Sequence, residues 1–366
     1  MNEPNQETVV SPTVLAAFVQ AVFERIGCEA TLAHQATQVL IAADLRGIDS
    51  HGVARLSGYV KQWEIGNLNP KPKFQILHQT PSTAVLDADR GLGLVAAQEA
   101  MRIAIDKAEQ VGTGWVAVQN SGHFGIAGYH AMLALPKDMI GWAMTHASNL
   151  VAPTFSLERL LGTNPIAIAI PALQEPPFVA DFATTAVAYG KLQILQRRNE
   201  PAPIGWVQDA EGNSTTDAHA LKNGGALLPL GTDREHGSHK GYALAAMVDI
   251  LSGVLSGANY GPWVPPFATA GITTYRTDSV GKGTGHFLGA MRIDAFRPVR
   301  DFKQDMDNWI RTFRNAKAIK GQRVIIPGEP EYEMENKRKK TGIPLLETVV
   351  QDLRNLAQKL GIDFKI

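Results

Sequence analysis

The apolar positions at the start of the chain recur at helical spacing. Val14, Leu15, Phe18, Val19, Val22 and Phe23 follow the start signal Ser11-Pro12-Thr13 and stop at Gly27. Ala33, Ala36, Val39, Leu40 and Ala43 resume the period after Thr31. A third helix is expected over 51–63, ending near Gly66, and Asn69-Pro70-Lys71-Pro72 reads as a turn or linker. Beyond it the period changes. Strands are expected over 73–78, 83–87, 114–119, 140–145, 166–170, 178–181 and 287–293. Helices are expected over 92–110, 129–135 and 185–197, and a strongly apolar, central one over 239–255. Two amphipathic helices, 302–314 and 345–360, should return to pack on the N-terminal helices. The alternation argues an α/β or mixed α+β core from about 75 to 290, with long loops over 190–240.

Composition narrows the partners. The 366 residues exceed one typical domain, so two are expected. Lysine plus arginine (35) equals aspartate plus glutamate (35), which gives neither nucleic acid nor an anionic membrane a reason to bind. No apolar run reaches the ~18–20 residues of a membrane span. The polar start over 1–11 has no signal-peptide pattern, so a cytoplasmic protein is expected. The single cysteine, Cys28, rules out an intrachain disulfide and reads as a small buried hydrophobe.

Several stretches carry candidate chemistry. In Asp44-Leu45-Arg46-Gly47-Ile48-Asp49-Ser50-His51-Gly52-Val53-Ala54-Arg55, a helix capped at Ser50 would hold His51 in its first turn. Arg55 would lie one turn on, over the same face. A proton-transfer group beside a fixed cation suits a small carboxylic acid. Asn120-Ser121-Gly122-His123-Phe124-Gly125 places a histidine between glycines at a strand's C-terminal end, where α/β sheets bind ligands. Leu161-Gly162-Thr163-Asn164-Pro165 is a polar turn before an apolar strand. Asp181-Phe182-Ala183-Thr184-Thr185 ends a strand in an acid that could accept ribose hydroxyls, or could equally cap a helix. His236-Gly237-Ser238-His239-Lys240-Gly241 lacks the carboxylate spacing of a metal site, and Lys240 reads better as a phosphate or ribose contact. Gly91-Leu92-Gly93-Leu94-Val95-Ala96 fits a dinucleotide fingerprint but has no acid about 20 residues on, at the end of a second strand. The basic run over 335–340 reads as a solvated helix face.

With these motifs in order, the chain resembles the type-2 malate/L-lactate dehydrogenase family. The match rests on Arg46 to Gly52 with Arg55 and Tyr59, and on Ser121 to Gly125 with Gly128-Tyr129. It continues with Leu161 to Pro165, Asp181 to Lys191, His239 to Tyr242 and Gly285-His286-Phe287. It ends with Pro327 to Glu331 and Gly342 to Leu345. The resemblance implies an oxidoreductase using NAD or NADP, with a core that is not Rossmann. It implies a helical domain made from both chain ends (1–75 with 290–366), an α/β cofactor domain (76–289) and a homodimer sharing its active site. Ser50 and His51 then resemble a proton-relay pair and Arg55 the substrate carboxylate clamp. His123 matches a second histidine proposed as catalytic in some members, behind His51 as first choice. Thr163 and Asn164 would line the substrate and nicotinamide. Asp181, Phe182, Ala183, Thr184, Lys240, Gly328, Glu329 and Pro330 would contact the dinucleotide. The resemblance leaves open malate- or lactate-like acids, cyclic imines and ureidoglycolate-type substrates; a metal-dependent hydrolase using His236, His239 and His123 is the rival class. Thr145-His146-Ala147-Ser148-Asn149 departs from the Thr-Asn-Ser-Ser-Pro of many relatives, so Ala147 stands where some have a cofactor-touching serine. Arg197 and Arg198 could serve a 2′-phosphate or solvate a helix end.

Overall fold

The computed structural model describes residues 7–267 and 278–364; residues 1–6 of the polar start and the side chain of Arg197 lie outside them. Among the described residues the helices are, in chain order, α1 (Pro12–Arg25), α2 (Ala30–Leu45), α3 (Leu56–Glu64), α4 (Gly93–Val111), α5 (Ala127–Met132), α6 (Tyr189–Arg198), α7 (Ser238–Asp249), α8 (Val299–Arg314), α9 (Glu329–Thr341) and α10 (Glu347–Leu360). The strands are β1 (Glu7–Val10), β2 (Gln75–Gln79), β3 (Thr83–Asp87), β4 (Thr113–Ser121), β5 (Met139–Thr145), β6 (Ile166–Ile170), β7 (Phe178–Phe182), β8 (Val207–Gln208), β9 (Ser214–Thr215), β10 (Ala226–Leu227), β11 (Thr284–Arg292) and β12 (Ile343–Leu346).

The apolar stripes of α1, α2, α3 and α10 close one core, with Leu15, Phe18, Val22, Phe23, Leu40, Tyr59 and Leu353 inside. Each such side chain contributes roughly 1.5–3 kcal/mol by leaving water. The two chain ends are also tied by β1 pairing antiparallel with β12. Residues 345–346, expected to open a helix, are therefore strand together with Ile343 and Pro344, and α10 begins only at Glu347. Cys28 is buried in this core, and burial pushes its thiol up to about 11. The other C-terminal helix behaves differently from its expectation. α8 docks on the turn between β6 and β7, where the Asp307 carboxylate accepts backbone N–H groups of Leu173, Gln174 and Glu175 and Trp309 packs on Phe178.

The seven-stranded sheet runs β2-β3-β4-β11-β5-β6-β7. Only β3 and β4 are parallel; every other neighbouring pair is antiparallel. The fold is thus mixed α/β and not a doubly wound nucleotide-binding sheet. Ala-rich α4 and α5 lie close on one face because the sheet offers them glycine: a Cβ at Gly114 would meet Ala104 O at 2.0 Å. α7, continued by a wider turn over Ile250–Val254, is not central. Tyr242, Met247, Ile250, Val254 and Leu255 are exposed. α6 starts at Tyr189 rather than 185, since Ala186 N–H donates to Leu228 O and Thr185 Oγ1 to Val187 O. The sheet geometry sets one edge apart. β11 is antiparallel to both of its neighbours, so its start at Thr284 meets the ends of β4 (Ser121) and β5 (Thr145).

Candidate active site

The expected helix over 51–63 is broken. Asp49–His51 and Val53–Arg55 are two single turns, and α3 starts at Leu56. The cause is Asp44, buried at the end of α2. Its Oδ2 accepts the Val53 N–H at 2.9 Å, and a Cβ at Gly52 would lie 1.8 Å from its Oδ1. The chain bends over this carboxyl, which burial holds well above its usual range. Arg55 therefore does not stack one turn above His51. It turns back, and its Nε–H donates to Ser50 O at 2.6 Å. Asp49 pairs with Arg338 of α9, which also donates to Asp44 O. Arg338 is buried, so the basic run expected to be a solvated face carries this brace, while Lys337, Lys339 and Lys340 are exposed. Gly52→Ala is expected to destabilise the fold by about 1–3 kcal/mol through overpacking and to reduce activity with it. An unchanged denaturation midpoint would refute the role given to Asp44.

His51 and His123 come together from different elements. Their rings stack at 5.8 Å between centroids. Both line an inner hollow of about 70 Å³ with Thr145, His146, Thr163 and Phe267. Ser50 Oγ and His51 Nδ1 share a hydrogen bond of 2.8 Å. The Tyr59 hydroxyl lies 2.6 Å from His123 Nδ1, and the His123 ring stacks on Phe267 at 4.5 Å. Withdrawal from water pushes His51 down to about 4, with the Arg55 guanidinium adding to the effect. The same withdrawal, then the charges of His51 and Arg55, holds His123 well below the usual histidine range. Both rings are neutral at pH 7.

Behind this pair the wall is polar. His286 bonds Thr145 Oγ1 (2.7 Å) and Ser121 Oγ (2.9 Å), tying the ends of β5, β11 and β4 together. His146 is packed: its Nε2 accepts the Gly285 N–H at 2.7 Å, and burial lowers it to about 3. Asn164 is a brace as well. Its Oδ1 accepts Ala147 N–H and its Nδ2 donates to Ala245 O, each at 3.0 Å. Thr163 lines the hollow.

The other expected positions gather at β7. The Asp181 carboxylate, at the exposed end of that strand, accepts the Gly128 N–H of α5 at 2.7 Å. Crowding by protein raises it to about 6 against that bond and the pull of Arg46. Phe182 is exposed and Ala183 half-buried, but Thr184 turns inward and donates to Asn164 O at 3.0 Å. Gly328 lies on the β7 backbone; a Cβ there would be 3.0 Å from Val179 N. Glu329 accepts from Arg314 (2.6 Å) and the Ile326 N–H (2.9 Å), whereas Pro330 is exposed. Lys240 is exposed at the start of α7. The Gly91–Ala96 fingerprint serves packing: a Cβ at Gly93 would meet Gly122 O at 2.1 Å. His236 pairs with Asp233 and His239 with Arg234, each at 2.7 Å. Among the described residues no three His, Cys, Asp or Glu side chains gather as a metal ion requires. No helix there is long and apolar enough to cross a membrane.

Sequence reasoning named no role for Asp44, Tyr59, Gly190, Phe267 or Arg338. Gly190 of α6 lies over Ser50, where a Cβ would come within 2.9 Å of Ser50 Cβ. Asp44 left a local signal, an acid near the end of a largely apolar helix, whereas Tyr59 and Gly190 entered only within stretches that carry the family match.

The chain is similar to known proteins along nearly its whole length. The sequence model of the malate/L-lactate dehydrogenase family matches residues 10–354. The malate dehydrogenase of Pyrococcus horikoshii is 40% identical over 351 residues, covering 95% of this chain and 94% of that one. The L-sulfolactate dehydrogenase of Methanocaldococcus jannaschii is 36% identical over 345 residues, 94% of this chain and 95% of its own. Among solved structures, the malate dehydrogenase of Entamoeba histolytica superposes with a TM-score of 0.91 at 34% identity, covering 99% of this chain and 100% of that one.

Proposed function

Because the chain belongs to the malate/L-lactate dehydrogenase family, we propose that it moves a hydride reversibly between NAD or NADP and C2 of a small 2-oxo/2-hydroxy acid, malate- or lactate-like. The observation that carries this reading is the neutral, stacked His51–His123 pair facing one small hollow, with the Arg55 guanidinium held on the Ser50 carbonyl next to His51. The donor set fits a nicotinamide dinucleotide. Flat histidine and phenylalanine faces line the hollow, and the Asp181 carboxylate suits ribose hydroxyls at the β7 end. Phe182, Ala183, Gly328 and Pro330 would flank the dinucleotide there, and Lys240 would meet a phosphate. Thr184, Glu329 and Asn164 would shape the site from behind.

When bound, the nicotinamide supplies or takes up the hydride. The remaining work falls to the chain. Arg55 grips the substrate carboxylate and fixes which face of C2 is presented. His51 and His123 point Nε2 at the C2 oxygen, where negative charge develops in reduction and a proton must be supplied. Ser50 fixes the tautomer of His51. The exposed apolar face of α7 supports a homodimer, in which a second copy covers Met247, Ile250 and Val254 and shares the active site. The core closed by α1, α2, α3 and α10 and the pairing of β1 with β12 support a helical unit made from both chain ends (1–75 with 290–366) beside a cofactor unit (76–289), although α8 leans on the cofactor unit. A reducing cytoplasm suits the single buried Cys28.

A panel of 2-oxo acids, a cyclic imine carboxylate and an oxalurate-type acid, each assayed with NADH and NADPH, tests the reading. Oxidation of one nucleotide by at least one 2-oxo acid is expected, with Arg198 as the first position to vary if NADPH is preferred. A silent panel, or activity that a chelator removes, would refute it.

A further inference from the structure

An outer hollow of about 250 Å³ meets the inner one at His123, Pro265, Phe267 and Thr284. Asn67, Arg90 and Ser279 on its lining are exposed, so it opens to solvent. Tyr59 also lines it, although only 2% of that residue is exposed. The Tyr59 hydroxyl is 2.6 Å from His123 Nδ1. The same nitrogen accepts the Gly125 N–H at 3.3 Å, so it carries no proton of its own. In the neutral ring the proton then sits on Nε2, and Tyr59 must be the donor to Nδ1.

We propose that Tyr59 relays a proton between water in the outer hollow and His123, so that His123 gives its Nε2 proton to the C2 oxygen without becoming an imidazolium. This rests on the hydride-transfer reading above. In reduction, C2 gains a hydride from the reduced nicotinamide, which is oxidised. The C2 oxygen takes the Nε2 proton, Nδ1 takes the phenolic proton, and the phenolic oxygen takes one from water. The sum is one hydride and one solvent proton added to the ketone. The ring ends as its other tautomer; once the product has left, water entering the inner hollow gives Nε2 a proton while Nδ1 returns its own through Tyr59 to the outer hollow, which restores the starting tautomer with no net proton change.

The electrostatics favour such a chain of neutral groups. Withdrawal from water keeps His123 unprotonated and raises the Tyr59 phenol, so neither an imidazolium nor a free phenolate is stable there. Among the described residues the outer hollow does not serve His51 in the same way. Its Nδ1 partner, Ser50, lies beneath Gly190 of α6 and does not line the outer hollow. Tyr59 is thus a positioning residue that acts through His123.

Tyr59→Phe in the full-length protein tests this, since it keeps the ring packed on Phe23 and Phe267. Turnover in the reduction direction is expected to fall roughly ten- to a hundredfold, with KM and NAD(P)H affinity unchanged. The solvent isotope effect on kcat should rise as proton delivery becomes slow, and the effect of a deuterated nucleotide should shrink. In the nucleotide-free protein, 15N spectra should show His123 as the Nε2–H tautomer, with Nδ1 shifting in the variant. Wild-type turnover, or a fall with an unchanged solvent isotope effect, would overturn the relay alone. So would an Nδ1–H tautomer in the unaltered protein, a readout that stands even if the variant does not fold. A wild-type protein inactive on every 2-oxo acid would overturn the hydride-transfer reading and the relay together.

Discussion

Alanine in place of His51 is expected to lower kcat by about 10³-fold, the cost of losing one donor at a developing alkoxide together with half of the proton-moving pair. Nucleotide binding should survive, because most positions proposed for the dinucleotide lie at the end of β7 and the starts of α7 and α9, apart from the 49–55 turns. A titration of NADH fluorescence against the variant separates the two effects. Turnover near the wild-type level would remove His51 from the mechanism. The unaltered enzyme carries a pH signature of the same residue. His51 is held down at about 4, so it is unprotonated, and able to accept a proton, at every pH above that value. For oxidation of the hydroxy acid, kcat/KM is expected to stay level from about pH 8 to about pH 5 and to fall only near 4. An acid limb near the ~6.5 of a free histidine would mean that the ring is more hydrated than the structure shows.

How much of this was legible in the sequence depends on how local each cause is. β3 and β6 have the ends that their apolar alternation predicts, because Thr83–Asp87 and Ile166–Ile170 are bounded by turns in the chain itself. The Ser50-His51-Arg55 cluster was legible as residues and misread as geometry. Its shape is imposed by Asp44, which forces the chain off a helical path at Gly52. Arg338 looked like solvent-facing charge because its partner, Asp49, is 289 positions away. Residues 345–346 look helical until β1, from the other end of the chain, gives them a strand partner. The meeting of His51 with His123 follows from the order of the sheet. β11 enters between β4 and β5 from late in the chain, and the ends of three strands converge behind His123. No window of local sequence contains that crossing.

For Arg55→Ala, KM for 2-oxo acids is expected to rise about a hundredfold, since breaking a hydrogen-bonded charge pair in an enclosed site costs ~2–5 kcal/mol. The same substitution removes a cation that holds His51 down. The His51 value should therefore move up from about 4, and the acid limb of kcat/KM should move up with it. The two effects come from one guanidinium but report different things. The KM change reads the clamp on the carboxylate, and the limb shift reads the charge beside the imidazole. Arg55→Lys separates them further. It keeps a cation near His51, so the limb should stay low, but it loses the fork that bonds both carboxylate oxygens, so KM should remain high. Added guanidinium should restore part of the alanine variant's activity if the cavity left behind is the clamp. An unchanged KM in Arg55→Ala would show that another group holds the acid, and an unmoved limb would show that Arg55 lies too far from the ring to set its charge.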